Sequence, residues 1–230
     1  MTRFASSEPG PGECPADVGC PPVTPSQLKI PTPVVDPATV PAQLVDLAKL
    51  SDSELSAGVT RLIFTDSDMA GRAYVRSLME RAGLVVREDA MGNIFGRWVG
   101  SQPDLPAVGS GSHIDAIPNS GAYDGTLGVL GPIEAIRALR RAGFKPERSI
   151  EVLMFTSEEP TRFGISCVGS RAMAGKLDPK HLDSLADILV PDGGTFRQAA
   201  LKAGYANTTA DTEGMVKQCS LGEYGTYYDS

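Results

Sequence analysis

Histidine is nearly missing from this chain: 230 residues hold two, beside 28 acidic and 21 basic side chains. A site built from several imidazoles is therefore beyond these residues alone, and each histidine carries weight. Cysteine is scarce too. Four at irregular spacing exclude a disulfide framework and a zinc ribbon. Cys14 and Cys20 lie in a Pro/Gly-rich stretch and read as incidental thiols. No apolar run approaches the roughly 20 residues that cross a bilayer. The first residues, Met1 to Glu13, lack the apolar core of a secretory signal, so a cytoplasmic protein is expected. Basic charge is also in deficit. A net charge of −7 argues against nucleic acid or an anionic membrane as the main partner and does not select a substrate.

What is present describes a globular chain, with 41% apolar residues. Residues 1–40 hold nine of the eighteen prolines and little apolar surface to offset ordering, so a disordered tail is expected there. The folded part is expected over 41–206, starting with a helical period at Pro41. A second helix opens at Thr65, with Asp68 in a capping arrangement, shows Ala70, Ala73, Leu78 and Ala82 on one face, and stops at Gly83. Leu84 to Asp89 and Ile94 to Trp98 read as strands around a Met91-Gly92-Asn93 turn.

Ala107 to Ser112 reads as a short buried strand running into His113; the small residues of Gly109-Ser110-Gly111-Ser112 suit close packing. After a loop over Pro118 to Gly121, a helix from about Thr126 to Ala142 carries Leu127, Leu130, Ile133, Ile136 and Leu139 as its apolar stripe. Ser149 to Thr156 is the clearest strand and leads into Glu158-Glu159. Strand, helix and strand make a crossover unit. The expected class is α/β, a largely parallel mixed sheet flanked by helices. Short helices follow near His181 to Leu189 and Phe196 to Ala203, and 207–230 shows no clear period.

The acidic and imidazole groups sit at or just past the ends of strand-like runs, where open α/β sheets present their chemistry. A two-metal hydrolytic site needs a bridging carboxylate and a water between ions about 3.5–4 Å apart. His113 would bind one ion, Glu159 the other, and Asp124 would bridge them. Asp115 is suited to hold the imidazole in one tautomer, and Glu158 to move a proton from water to the leaving nitrogen. The spacing also fits a plainer reading. In it Asp124 caps a helix, Glu158 and Glu159 are solvated loop charges, and His113 is a strand-end hydrogen bonder. A thiol hydrolase using Cys167 with His113 is a third option, disfavoured by the glutamates nearby. His181, in Asp178-Pro-Lys-His-Leu-Asp, reads as a surface helix residue.

Longer motifs separate these readings. They are Arg87-Glu-Asp-Ala-Met-Gly-Asn-Ile-Phe-Gly-Arg, Gly111-Ser-His-Ile-Asp-Ala-Ile-Pro, Tyr123-Asp-Gly, Thr156-Ser-Glu-Glu-Pro-Thr-Arg-Phe-Gly-Ile-Ser-Cys and Gly169-Ser-Arg. In them the chain resembles the metal-dependent amidohydrolases of the aminoacylase/carboxypeptidase-like superfamily, with their metallo-aminopeptidase-like catalytic domain. The resemblance is greatest to the ureidoglycolate amidohydrolases, then to the allantoate and N-carbamoyl-amino-acid amidohydrolases. It implies His113, Asp124 and Glu159 as metal ligands and Glu158 as the base. It further implies two Mn²⁺ ions (Zn²⁺ or Co²⁺ as alternatives), a homodimer, and hydrolysis of ureidoglycolate to glyoxylate, ammonia and CO₂ in purine breakdown. An endoplasmic-reticulum location is implied for plant members. The family's two further histidines and its lid or dimerisation domain have no counterpart in these residues. The expectation is an incomplete catalytic domain with little activity, or a non-catalytic form that pairs with a complete subunit.

Overall fold

The protein is described by a computed structural model covering residues 31–54, 57–190 and 193–219. The N-terminal tail expectation therefore falls largely outside the described residues. All elements lie in the unit Pro33–Ser230. Helix α1 (Thr39–Ala48) precedes a short strand β1 (Val59–Arg61) and helix α2 (Asp66–Arg81). Strands β2 (Val85–Glu88), β3 (Ile94–Trp98), β4 (Val108–His113) and β5 (Ala116–Ser120) come next, then α3 (Thr126–Arg141) and β6 (Ile150–Phe155). Four short helices complete the order: α4 (Val168–Met173), α5 (Pro179–Ser184), α6 (Phe196–Lys202) and α7 (Thr212–Cys219). No described helix is long and apolar enough to cross a membrane.

The main sheet has the order β2-β3-β6-β4. β4 and β6 run parallel, joined across α3, which is the expected crossover. The class is mixed α/β with helices flanking the sheet, as expected. Its pairing needs a correction, because β2–β3 and β3–β6 are both antiparallel, so the described sheet is not largely parallel. For β2–β3 the reason is the connection over residues 89–93, which is far too short for a crossover; β3–β6 joins strands distant in the chain and has no such local cause. Within 89–93, Asp89 Oδ1 accepts from the Met91 and Asn93 amides at 3.0 and 2.9 Å, and Gly92 takes φ +91°. A tight turn allows only a hairpin.

Several local expectations also change. Thr65 does cap α2, accepting from the Asp68 amide at 3.4 Å, but the buried face is Gly71, Val75, Leu78, Met79 and Ala82. Ala70 and Ala73 point outward, having too little apolar area to direct the helix. On α3, Val129, Leu130, Ile133 and Ile136 are buried while Leu127 is half exposed. The Pro118 to Gly121 segment is largely strand, because β5 pairs antiparallel with β1 in a separate two-stranded sheet. The expected helix at His181 to Leu189 is α5, which ends at Ser184. Beyond 207, α7 buries Thr212, Met215, Val216 and Cys219, a spacing of three, four and seven that the polar neighbours obscure.

Helices α1, α2 and α3 cover one face of the sheet, closing Leu47, Val75, Leu78, Leu130, Ile133, Trp98, Val152 and Met154 into a core. A second core of Phe64, Met91, Phe163, Val168, Leu182, Phe196 and Met215 sits among the C-terminal helices. β4 is not the buried strand expected, since Val108 and Ser110 are exposed, but its small residues pack closely as expected. A Cβ on Gly111 would come within 2.0 Å of the Leu153 carbonyl oxygen, and one on Gly128 within 2.6 Å of Ser112 Cβ. These approaches seat β4 between β6 and α3.

Candidate metal centre

β4 and β6 end side by side, with His113 opposite Phe155 in the parallel register. The chain leaving β6 therefore delivers Glu158 and Glu159 beside the imidazole. Ligand atoms of His113, Glu158 and Glu159 all lie within 4.8 Å of one another. Asp124 arrives from the turn between β5 and α3, and its Oδ1 lies 3.9 Å from His113 Nε2. Glu158 Oε2 is 3.5 Å from the same nitrogen. The plainer sequence reading made Asp124 a helix cap. Here Gly125 occupies the cap position of α3 with no side-chain cap bond, and the Asp124 carboxylate faces the imidazole instead.

His113 is 6% exposed, and its Nδ1 lies 2.9 Å from the Asp115 backbone carbonyl. A carbonyl only accepts, so Nδ1 donates and Nε2 keeps its lone pair when the ring is neutral. Burial opposes a charged ring, but Asp115 and Glu158 outweigh it and lift the imidazole to about 9. The ring is thus held in a cage that favours a cation. Burial and the neighbouring Glu158 both push the Glu159 carboxyl up, further evidence of acidic groups crowded together.

Asp115 does something the sequence did not suggest. Its carboxylate is 3.6 Å from His113 Nδ1, longer than a hydrogen bond, and the tautomer is set by its main chain. The carboxylate itself accepts the amides of Glu158 at 3.3 Å and Glu159 at 2.9 Å. It thereby ties the His113 strand end to the glutamate loop.

Gly125 closes the Tyr123-Asp-Gly motif, and the structure gives it a steric role that the motif alone does not state. It takes φ +64°, and a Cβ there would stand 2.4 Å from His113 Nε2. The Asp-Gly pair was the available signal. Cys167 donates its thiol to Glu158 Oε1 at 3.4 Å, and burial followed by that bond pushes the thiol up. Such a thiol is protonated and a poor nucleophile, against the thiol-hydrolase option. His181 lies exposed on α5, outside the cluster.

Imidazole with carboxylates suits Mn²⁺, Zn²⁺ or Co²⁺. The donor types of His113, Glu158 and Glu159 and their mutual spacing fit a divalent ion, with the Asp124 carboxylate 3.9 Å from the same imidazole.

Against known proteins, residues 93–220 match the model of peptidase family M28. A ureidoglycolate hydrolase of Arabidopsis thaliana is 55% identical over 179 residues, which is 77% of this chain and 37% of that protein. An N-carbamoyl-L-amino acid amidohydrolase of Geobacillus stearothermophilus is 39% identical over 175 residues, 76% of this chain and 42% of the relative. The crystal structure of AtUAH in complex with glyoxylate aligns with a TM-score of 0.77 at 48% identity, over 84% of this chain and 45% of the other. The chain spans less than half the length of each of these relatives.

Proposed function

The chain belongs to peptidase family M28, and on that footing we propose that it is the ion-holding part of a metal-dependent amidohydrolase acting on ureidoglycolate. The observation that carries this reading is the convergence of His113, Glu158 and Glu159 within 4.8 Å, with Asp124 facing the same imidazole nitrogen. The substrate comes from the Arabidopsis relative, a ureidoglycolate hydrolase, and from the glyoxylate held by the structural relative. The products would be glyoxylate, ammonia and CO₂.

His113 Nε2, Asp124 and Glu159 would hold the ion, and Mn²⁺ is the species we favour. When bound, such an ion supplies Lewis acidity towards a carbonyl and lowers the pKa of water. Glu158 Oε2, on the imidazole side of the cluster, would take the proton of the attacking water and hand it to the leaving nitrogen. Cys167 occupies the other carboxylate oxygen, which leaves Oε2 for that task. Asp115 fixes both glutamates through their amides.

The described donors are one imidazole and three carboxylates, few for two ions and a water. On the described donors alone turnover would be slow, and further donors, from this protein or a partner chain, would raise it.

The test is twofold. Isothermal titration with Mn²⁺ should show binding that His113→Ala and Glu159→Gln each weaken at least tenfold. Ammonia release from ureidoglycolate, allantoate and an N-carbamoyl amino acid, with Mn²⁺ present, should be slow but greatest for ureidoglycolate and lost in Glu158→Gln. A wild-type chain that binds no divalent ion would overturn the metal reading. Preference for the N-carbamoyl amino acid would move the substrate to that of the Geobacillus relative.

A further inference from the structure

Asn93 closes the β2–β3 turn and is 1% exposed. A turn asparagine serving only its hairpin would bond within that hairpin. This one reaches much further. Its Oδ1 accepts the Thr156 amide at 2.9 Å, at the end of β6, and its Nδ2 donates to the Gly169 carbonyl at 3.2 Å, in the first turn of α4. The same Nδ2 donates to Asp89 Oδ2 at 2.8 Å, which orients the carboxamide.

Thr156 and Gly169 are the two arms from which the glutamate loop hangs. They are themselves bonded, Gly169 N–H to Thr156 carbonyl at 2.8 Å. Just inside them, the Val168 and Cys167 amides donate to the Ser157 and Glu158 carbonyls, each at 2.9 Å. The loop bends at Ser157, a buried non-glycine residue held at φ +53°, a conformation that costs energy unless its surroundings enforce it. A Cβ on Gly169 would stand 2.0 Å from Asn93 Oδ1, so glycine is what lets the carboxamide in. Arg72 supports the same point from below, donating to the Gly92 carbonyl at 2.7 Å and lying 3.3 Å from Thr156 Oγ1.

We propose that Asn93 is a positioning residue for the glutamate pair. Its carboxamide sets the spacing of β6 and α4, and so enforces the bend that brings Glu158 and Glu159 to His113. It touches no reacting atom and acts through the main chain. The inference rests on the metal reading given above, and its effect falls first on ion affinity.

The experiment is isothermal titration of Mn²⁺ into wild type, Asn93→Ala and Leu182→Ala, with thermal unfolding of each by circular dichroism. Leu182 is fully buried in the C-terminal core, so its truncation lowers stability without touching the loop. Wild type and Leu182→Ala should bind alike, and Asn93→Ala should bind about 10- to 100-fold more weakly while folded. Should Asn93→Ala not fold, Asn93→Asp carries the same comparison, since it keeps the acceptor for Thr156, loses the donor to Gly169 and Asp89, and sets a second carboxylate against Asp89. Equal affinity in the folded Asn93 variant and wild type overturns the proposal. So does an equal weakening in Leu182→Ala, which would mark a general stability effect. A wild-type chain that binds no Mn²⁺ removes the metal reading, and this inference with it.

Discussion

Gly125 has two separate reasons to be glycine. Its φ of +64° with ψ of −43° lies outside even the left-handed helical region and costs an L side chain about 1–3 kcal/mol, and any Cβ would press on the His113 ring from 2.4 Å. Gly125→Ala should therefore lose about 1–3 kcal/mol in urea unfolding and also bind Mn²⁺ more weakly. A loss of stability with unchanged affinity would show that the ring simply moves aside. At this scale the sequence was a good guide to donor types. His113, Asp124, Glu158 and Glu159 stand out because imidazole and carboxylate recur just past the ends of strand-like runs, and the structure brings His113, Glu158 and Glu159 together. It was a poor guide to what supports them, since the amide bonds of Asp115 and the reach of Asn93 depend on segments 43 and 63 residues away.

Elements with strong periods were read correctly: α3 and β6 carry long apolar patterns and lie where expected. β5 escaped because a proline and an asparagine dominate its five residues, and only pairing with β1 makes it a strand. The packing of β4 gives a direct test. Gly111→Ala sets a methyl 2.0 Å from the Leu153 carbonyl, which is main chain and cannot give way. A loss of about 1–3 kcal/mol is expected, whereas alanine in an open strand would be neutral or better.

The segment after the glutamates is fastened by Arg162, which donates to both Asp187 oxygens at 2.9 and 2.7 Å. Burial raises the Asp187 carboxyl, but the Arg162 bonds and the Leu189 amide prevail and hold it below the ordinary range. A depressed carboxyl contributes stability above its unfolded pKa, about 3.9, and loses it as pH falls through the folded value. Asp187→Asn should cost about 3–5 kcal/mol at pH 7, because Arg162 stays buried without its anion. The gap between variant and wild type should narrow below about pH 4. Urea midpoints at pH 7 and pH 3 check both.

At the scale of the whole molecule, an ion that binds the folded chain alone stabilises it by mass action. At a hundred times its dissociation constant the gain is about 2.7 kcal/mol, or roughly 5–10 °C for a chain of this size. Thermal unfolding with Mn²⁺, then with excess chelator, should show that rise and its reversal. His113→Ala should show neither. A midpoint indifferent to Mn²⁺ would mean that the acidic cage is satisfied by the protonated imidazole alone.

The order of donor types along the chain, the α/β class and the crossover carrying His113 and the glutamates were set by sequence alone. They follow from local periodicity and side-chain chemistry, which need no knowledge of distant neighbours. The antiparallel pairing of β3 with β6, the pairing of β1 with β5, and the clamps of Asp115 and Asn93 on the glutamate loop belong to the tertiary structure. Each is a hydrogen-bonded contact between segments far apart in the chain, which no local pattern of residues specifies.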